Sequence, residues 1–171
     1  MTKKKVIIGM SGGVDSSVSA CLLKEKGYEV IGATMQLLDN EETKKMIEDA
    51  KEICNQLNIK HYVFDLRKEF RQEIIDNFMN SYKNGKTPNP CILCNRIFKF
   101  GLFYQKAKEL NADYIATGHY AKIIDNKLVM SEATGKDQSY FLNQIEKEVL
   151  PYIIFPLNKY QSKEEIRALA R

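Results

Sequence analysis

Two stretches of the sequence combine residue types that can carry out chemistry. The first, residues 9–17, is rich in glycine and serine and directly follows the apolar run of residues 6–8. The second is a pair of cysteines, Cys91 and Cys94, which follows a loop containing two prolines. A glycine turn at the start of a helix suits phosphate binding, and paired thiols suit sulfur or metal chemistry.

The glycine-rich stretch predicts a phosphate-binding turn between a strand and a helix. Gly12 and Gly13 let the backbone approach an anion, and the free N–H groups of a helix N-terminus attract negative charge. Asp15 would repel a bare phosphate, so it either caps the helix or holds a Mg²⁺ ion that bridges to the phosphates. A strand-to-helix turn with nothing bound is the alternative. The predicted phosphate-binding residues are Gly9, Met10, Ser11, Gly12, Gly13, Val14, Asp15, Ser16 and Ser17.

Cys91 and Cys94 lie in the first turns of a predicted helix whose N-cap is Asn89. Because they are three residues apart, they share a helix face. We expect the helix N-terminus and the nearby Arg96 and Lys99 to lower the pKa of these thiols, and a thiolate is both nucleophile and metal ligand. Zinc is disfavoured because no second Cys-x-x-Cys or His pair is present. Packed cysteines, an iron–sulfur cluster and a sulfur-transfer site all remain open.

Alternating strand and helix patterns predict an α/β fold with a parallel sheet covered on both faces. In such a sheet ligands bind at the carboxyl ends of the strands, where residues 9–17, Asp39 and residues 117–119 are expected. The predicted strands are residues 6–8, 28–37, 61–66, 114–119 and 152–157, with a hairpin over 121–130 that turns at Asp125 and Asn126. The predicted helices are residues 15–26, 41–58, 70–82, 97–110 and 162–171, and residues 84–90 form a loop.

Composition sets the class of protein. A chain of 171 residues with 44% hydrophobic content is expected to form one domain, residues 1–171, and a net charge of +4 mildly favours a polyanionic partner. We expect a cytoplasmic protein with no membrane partner, because no secretory signal or bilayer-spanning apolar run is visible. Four cysteines in such a chain argue against disulfides, and Cys21 and Cys54 are expected to pack in the core.

Four motifs together resemble the tRNA-specific 2-thiouridylases of the ATP pyrophosphatase (PP-loop) superfamily. They are Ser-Gly-Gly-Val-Asp-Ser-Ser at 11–17, Thr-Pro-Asn-Pro-Cys-Ile-Leu-Cys-Asn-Arg at 87–96, Ala-Thr-Gly-His-Tyr-Ala at 116–121 and Gly-Lys-Asp-Gln-Ser-Tyr-Phe-Leu at 135–142. The resemblance implies a Rossmann-like, three-layer fold of the adenine nucleotide alpha-hydrolase type. It also implies that ATP with Mg²⁺ adenylates the C2 oxygen of a tRNA wobble uridine, after which sulfur displaces AMP.

The resemblance assigns roles to single residues. Cys94 matches the family cysteine that attacks or holds the sulfur, which would come from a persulfide carrier, a cysteine desulfurase or sulfide. Cys91, Cys94 and Asp15 are the implied catalytic residues, and Met35 and Gly118 join the loop at the nucleotide. The implied tRNA-binding residues are His119, Asp137, Gln138, Arg96 and Lys99, and the last two belong to a basic group that also includes Lys83, Lys86, Lys106 and Lys108.

Cys91 departs from the family pattern, because many members have Asp there. The resulting Cys-x-x-Cys favours a variant in which Cys91, Cys94 and a further ligand hold a [4Fe-4S] cluster. The chain is also expected to be only the catalytic N-terminal domain of such an enzyme, without the family's RNA-binding C-terminal domains. The rival functions are a PP-loop sulfur-transfer or amidotransfer enzyme for a small molecule, and a nucleotide- and metal-binding module without turnover.

Overall fold

A computed structural model describes residues 3–133 and 135–170. Five parallel strands form one sheet in the order β3-β2-β1-β4-β7, and two antiparallel strands form a separate hairpin. The sheet strands are β1 (Lys5–Gly9), β2 (Glu29–Gln36), β3 (Lys60–Asp65), β4 (Tyr114–Ala116) and β7 (Ile153–Ile154), and the hairpin strands are β5 (Lys122–Ile124) and β6 (Lys127–Val129). The parallel α/β fold predicted from the sequence is therefore confirmed.

Helices cover both faces of the sheet. The side chains of Val6 and Ile8 in β1 pack with residues of the helices α1 (Val14–Glu25) and α2 (Glu41–Gln56), whereas Ile7 packs on the opposite face with Phe100 and Phe103. Successive strand side chains point to opposite faces, so this apolar run fills two cores and makes three layers. The α-helices are α1 (Val14–Glu25), α2 (Glu41–Gln56), α3 (Arg67–Phe70), α4 (Asn77–Lys83), α5 (Pro90–Cys94), α6 (Phe103–Glu109) and α7 (Lys163–Leu169).

Two of the helical regions contain π-helical segments. Arg71–Asp76 joins α3 to α4, and Asn95–Leu102 joins α5 to α6, so that residues 90–109 form one continuous rod beside the sheet. Asn89 caps this rod as predicted, since its Oδ1 accepts hydrogen bonds from the N–H groups of Cys91 and Ile92. The rod begins seven residues earlier than the helix predicted at 97–110, and it carries both cysteines.

Local signals in the sequence were accurate at turns and caps. The hairpin turns at Asp125 and Asn126, whose φ values of 50° and 57° are those of a primed turn. Ser162 caps α7 by accepting from the N–H of Glu165. The predicted end of this helix, Arg171, lies outside the described residues.

Several expectations need correction. Asp15 does not cap α1, because the N-cap is Gly13 and Asp15 lies within the first turn. Strand β4 ends at Ala116, so residues 117–119 follow the strand instead of forming part of it. Cys54 is fully buried as predicted, whereas Cys21 is only partly buried. Across residues 3–133 and 135–170, the structure contains no helix with the length and apolar character required to cross a membrane.

Candidate active site

A cavity of about 510 Å³ opens at the carboxyl ends of β1, β2 and β4. This is the edge at which parallel sheets bind their ligands, because loops from neighbouring strands converge there. Its lining residues are Gly9, Met10, Ser11, Asp15, Ser16, Ala33, Thr34, Met35, Leu37, Met46, Lys99, Phe103, Thr117, Gly118, His119, Tyr120, Lys136, Gln138 and Lys163.

The loop between β1 and α1 is stabilised by its own polar groups. The Ser16 hydroxyl donates to the carbonyl of Gly13 at 2.9 Å and accepts from the N–H of Ser11 at 3.3 Å. Gly12 has φ +70°, and a Cβ there would lie 2.8 Å from the Cβ of Asp49 on α2. Glycine is therefore required at Gly12 for both its backbone angle and the close approach of the loop to α2.

Asp15 faces the cavity from the first turn of α1. Its Oδ1 accepts a hydrogen bond from the Tyr120 hydroxyl at 3.1 Å, and its Oδ2 lies 3.8 Å from the Lys163 ammonium. Burial raises the pKa of Tyr120, and the negative charge of Asp15 raises it further, so the hydroxyl keeps its proton and donates. About a third of the Asp15 side chain is exposed. A single accessible carboxylate suits Mg²⁺, which commonly uses one or two carboxylates together with phosphates and water.

Gly118 places the chain after β4 directly against the start of α1. A Cβ at this position would lie 3.1 Å from the carbonyl carbon of Asp15 and 3.2 Å from the nitrogen of Ser16. Any side chain would therefore push the helix N-terminus away. Gly118 brings two walls of the cavity together through its lack of a side chain.

His119 connects two polar residues at one wall of the cavity. Its Nδ1 lies 2.8 Å from Thr117 Oγ1, and its Nε2 lies 3.4 Å from the Lys99 ammonium. Burial, together with the positive charge of Lys99, lowers the pKa of His119 to about 3. The imidazole is neutral at physiological pH. Because an ammonium can only donate, Nε2 is the acceptor and Nδ1–H donates to Thr117.

The cysteine pair lies outside the residues that line the cavity. Cys91 is exposed and Cys94 is partly buried. The expectation that the pKa of Cys94 is lowered is wrong: burial raises this pKa, and the nearby Lys99 offsets only part of the rise. The sequence pattern showed the positive neighbours of Cys94 but not how far the helix would bury it.

The cysteines alone do not fit an iron–sulfur cluster. Within the described part of the chain, no three or more His, Cys, Asp or Glu side chains are grouped so as to hold a metal ion. A cluster of this kind takes four ligands, of which this pair supplies two.

The remaining predicted residues fall into separate places. Asp137 is engaged in its own turn, accepting from the N–H of Ser131 at 2.7 Å and the hydroxyl of Ser139 at 2.6 Å. Burial alone would raise the pKa of Asp137, but these hydrogen bonds lower it overall. Gln138 Oε1 accepts from the N–H of Tyr120 at 3.0 Å.

The cavity gathers ten of the predicted site residues: Gly9, Met10, Ser11, Asp15, Ser16, Met35, Lys99, Gly118, His119 and Gln138. The predicted residues outside its lining are Gly12, Gly13, Val14, Ser17, Cys91, Cys94, Arg96 and Asp137. Sequence reasoning missed Tyr120, Lys136 and Lys163, although the first two lie inside motifs that it had singled out. Lys163 carried no signal, since only the folded chain brings α7 beside α1.

The amino-acid sequence of this chain is similar to those of known proteins. Residues 4–171 match the family model described as the tRNA methyl transferase HUP domain. A curated relative from Caldicellulosiruptor saccharolyticus, named tRNA-specific 2-thiouridylase MnmA, is 48% identical over 98% of this chain and 51% of its own length. A relative of the same name from Desulfitobacterium hafniense is 46% identical over 98% of this chain and 49% of its own length. Another from Clostridium perfringens is 44% identical over 100% of this chain and 51% of its own length. The chain thus spans about half the length of these relatives.

Solved structures share the fold at lower identity. A predicted subunit of tRNA methyltransferase from Methanocaldococcus jannaschii superposes with a TM-score of 0.56 at 22% identity, covering 98% of this chain and 74% of that one. The NH3-dependent NAD synthetase from Campylobacter jejuni gives the same TM-score and identity, covering 99% and 64%. At this identity the likeness concerns the fold alone.

Proposed function

Because the chain belongs to the tRNA methyl transferase HUP domain family, we propose that it contributes the ATP-dependent step of tRNA 2-thiouridine formation. The curated relatives are named for that activity, and this chain matches about half of each. The observation that carries the proposal is the position of the loop residues Ser11, Asp15 and Ser16 in the lining of one large cavity.

The reaction has two steps. The C2 oxygen of a tRNA uridine attacks the α-phosphorus of ATP and pyrophosphate leaves, which turns that oxygen into a good leaving group. A sulfur nucleophile then attacks C2, and the oxygen departs with AMP. With hydrosulfide as the nucleophile, one ATP and one hydrosulfide per uridine give 2-thiouridine, AMP and pyrophosphate. With a persulfide as the nucleophile, a thiol reductant must supply two further electrons.

The loop residues bind the nucleotide in this scheme. Backbone N–H groups at the start of α1 receive the pyrophosphate portion, assisted by the dipole of the helix. Lys136 and Lys163 also line the cavity and add positive charge. Asp15, oriented by Tyr120, would hold Mg²⁺, which when bound neutralises charge on the departing pyrophosphate.

Cys94 receives the sulfur in this proposal. It lies on the same helical rod as Lys99 and Phe103, two residues that line the cavity, so the rod connects the thiol to the nucleotide site. Since burial raises the pKa of Cys94, its thiol is protonated at neutral pH in the free protein.

A persulfide carrier or a cysteine desulfurase transfers its outer sulfur to the Cys94 thiol and leaves as a free thiol, so Cys94 becomes a persulfide without an external oxidant. The outer sulfur then attacks C2 as AMP leaves, and a thiol reductant cleaves the remaining S–S bond to release 2-thiouridine. Sulfide cannot form a persulfide on Cys94 without an oxidant, so as the donor it would attack C2 directly.

A [4Fe-4S] cluster on Cys91 and Cys94 needs ligands beyond those that the described residues supply. Anaerobic purification followed by iron and acid-labile sulfide analysis tests the point, and stoichiometric amounts of both would replace the thiol route by a cluster route.

A tRNA partner follows from the proposed activity. Arg96 is exposed on the cysteine-bearing rod, so it remains available to contact RNA outside the cavity. Cytoplasmic location stays a prediction of the sequence.

The proposed function is tested by the fate of ATP labelled at the α-phosphorus, with and without bulk tRNA. With Mg²⁺ and a sulfur donor present throughout, we expect labelled AMP to form when tRNA is added. Labelled ADP as the product, or AMP formation at the same rate without tRNA, would contradict the proposal.

A further inference from the structure

We propose that Lys99, held in place by His119, binds the α-phosphate of ATP and then the phosphate of the adenylated uridine. This inference rests on the proposed function, since it concerns the same cavity. In this inference Lys99 binds a nucleotide phosphate inside the cavity, whereas the sequence resemblance implied that it binds tRNA.

Lys99 is an unpaired cation at the wall of the cavity. Its side chain is partly buried, and burial lowers the pKa of its ammonium. Among residues 3–133 and 135–170, no carboxylate lies within ion-pair distance of Lys99, whereas Lys163 across the same cavity approaches Asp15. Partial burial of an uncompensated charge is costly, and an anionic ligand would offset that cost.

The π-helical segment sets the direction of the Lys99 side chain. In a π-helix the N–H of each residue bonds the carbonyl five positions earlier, so residues five apart lie on nearly the same side of the helix. The N–H of Phe103 donates to the carbonyl of Phe98 in this manner. Lys99 follows Cys94 by five residues and therefore lies on nearly the same side of the rod. In a regular α-helix the two would be turned far apart.

His119 restricts where the ammonium can sit. Because the imidazole is neutral and its Nδ1–H donates to Thr117, the Nε2 lone pair remains to accept from Lys99 at 3.4 Å. This uses one of the three ammonium protons, and two remain for phosphate oxygens. His119 thus acts as a positioning residue and not as a proton donor to the nucleotide.

The order of residues along the rod identifies the phosphate. Phe103 packs at the end of β1, where the loop begins, since a Cβ on Gly9 would lie 3.9 Å from its ring. Lys99 lies about one turn before Phe103, and Cys94 about one turn before Lys99. Along the rod, the Lys99 ammonium thus lies between the pyrophosphate loop and the sulfur-bearing thiol. The reacting α-phosphorus must lie in the same interval. There it would stabilise the charge on AMP as sulfur displaces it.

The test measures the dissociation constants of AMP and of inorganic pyrophosphate for the protein without tRNA, by isothermal titration calorimetry. We expect Lys99→Met to weaken AMP binding by about tenfold or more, which is the usual effect of losing a charge-assisted hydrogen bond. Pyrophosphate binding should change less than about twofold, because the loop holds it. Lys99→Arg should restore most of the AMP affinity. Lys44→Met, which removes an exposed cation paired with Glu41 on α2, is the matched control.

Three results would overturn the inference. AMP affinity could be unchanged in Lys99→Met, the losses for AMP and pyrophosphate could be equal, or Lys99→Arg could be as defective as Lys99→Met while thermal unfolding shows all variants folded. Neither ligand measurement requires tRNA. A failure here is therefore distinguishable from a failure of the proposed function, which would show as absent tRNA-dependent AMP formation in the wild-type protein.

Discussion

The Tyr120 hydroxyl donates a hydrogen bond to Asp15 Oδ1 across 105 positions of sequence, at 3.1 Å. This contact joins the segment after β4 to the first turn of α1. It fixes the carboxylate at the edge of the cavity, where Lys163 approaches its other oxygen at 3.8 Å. Asp15 is thus oriented by groups from two distant parts of the chain, neither of which belongs to the loop.

Replacing Tyr120 by Phe removes this hydrogen bond with little change in volume. We expect a loss of about 1 kcal/mol in the free energy of unfolding, the usual contribution of one hydrogen bond. The Mg²⁺ concentration for half-maximal AMP formation should also rise several-fold, because the carboxylate is less fixed. Urea unfolding and a Mg²⁺ titration measure the two effects. Tyr62→Phe, on the exposed edge strand β3, is the control, and an identical Mg²⁺ titration in Tyr120→Phe would argue against the orienting role.

Asp15→Asn keeps the shape of the side chain but removes its charge. If Asp15 holds Mg²⁺, AMP formation should fall by at least about a hundredfold while the fold is retained, since an amide is a much weaker ligand for this cation. Asp39→Asn is the matched control, because Asp39 pairs with Arg67 and is not among the residues lining the cavity. Near-normal activity in Asp15→Asn would show that Asp15 does not hold Mg²⁺.

Substitutions of Gly12 and Gly85 by alanine would distinguish the cost of backbone strain from the cost of steric contact. Both have positive φ, +70° and +68°, but a Cβ on Gly85 meets nothing within 4 Å while one on Gly12 reaches α2. Gly85→Ala should therefore cost about 1 kcal/mol of unfolding free energy, from strain alone. Gly12→Ala should cost about 1–3 kcal/mol more, from overpacking, and should weaken ATP binding. Equal midpoints in urea for the two variants would show that the loop is not packed on α2 as described.

The neutral state of His119 predicts a pH dependence of stability. Its pKa is about 3 in the folded protein and near its ordinary 6.5 when unfolded, so between these values the unfolded chain binds more protons. Stability contributed by His119 is complete above pH 6.5 and is lost progressively as the pH falls toward 3.

His119→Gln should make urea midpoints fall less than those of the wild type between about pH 6.5 and pH 4. Burial also lowers the pKa of His61, so part of the wild-type dependence should remain in this variant. A pH dependence that is the same with and without His119 would mean that the imidazole is not buried in its neutral form.

Much of the fold could be predicted because its signals are local. Apolar runs predict the strands, and glycine and asparagine residues predict where helices and strands end. The resemblance to the 2-thiouridylases is confirmed by family membership and by relatives 44–48% identical over nearly the whole chain. The loop at residues 9–17 and the helix cap at Asn89 could also be predicted from short stretches of sequence.

The rest depends on contacts between distant residues. The sequence pattern groups Lys99 with the exposed Arg96, because nothing in it indicates that residues 95–102 adopt a π-helix. The π-helix changes the side of the rod that each residue occupies. The incorrect prediction for the pKa of Cys94 has a related cause. Neighbouring charges can be read from sequence, but burial depends on how Leu66, Ile74 and Phe98 pack beneath it.

Transfer of label from α-phosphorus-labelled ATP to tRNA tests the central claim most directly. With Cys94→Ser, sulfur transfer is blocked after adenylation, so acid-precipitable label should accumulate on the tRNA. The same variant combined with Asp15→Asn should give none. Label that remains in ATP or appears only in ADP, with the protein folded and ATP bound, would contradict adenylation of tRNA by this chain.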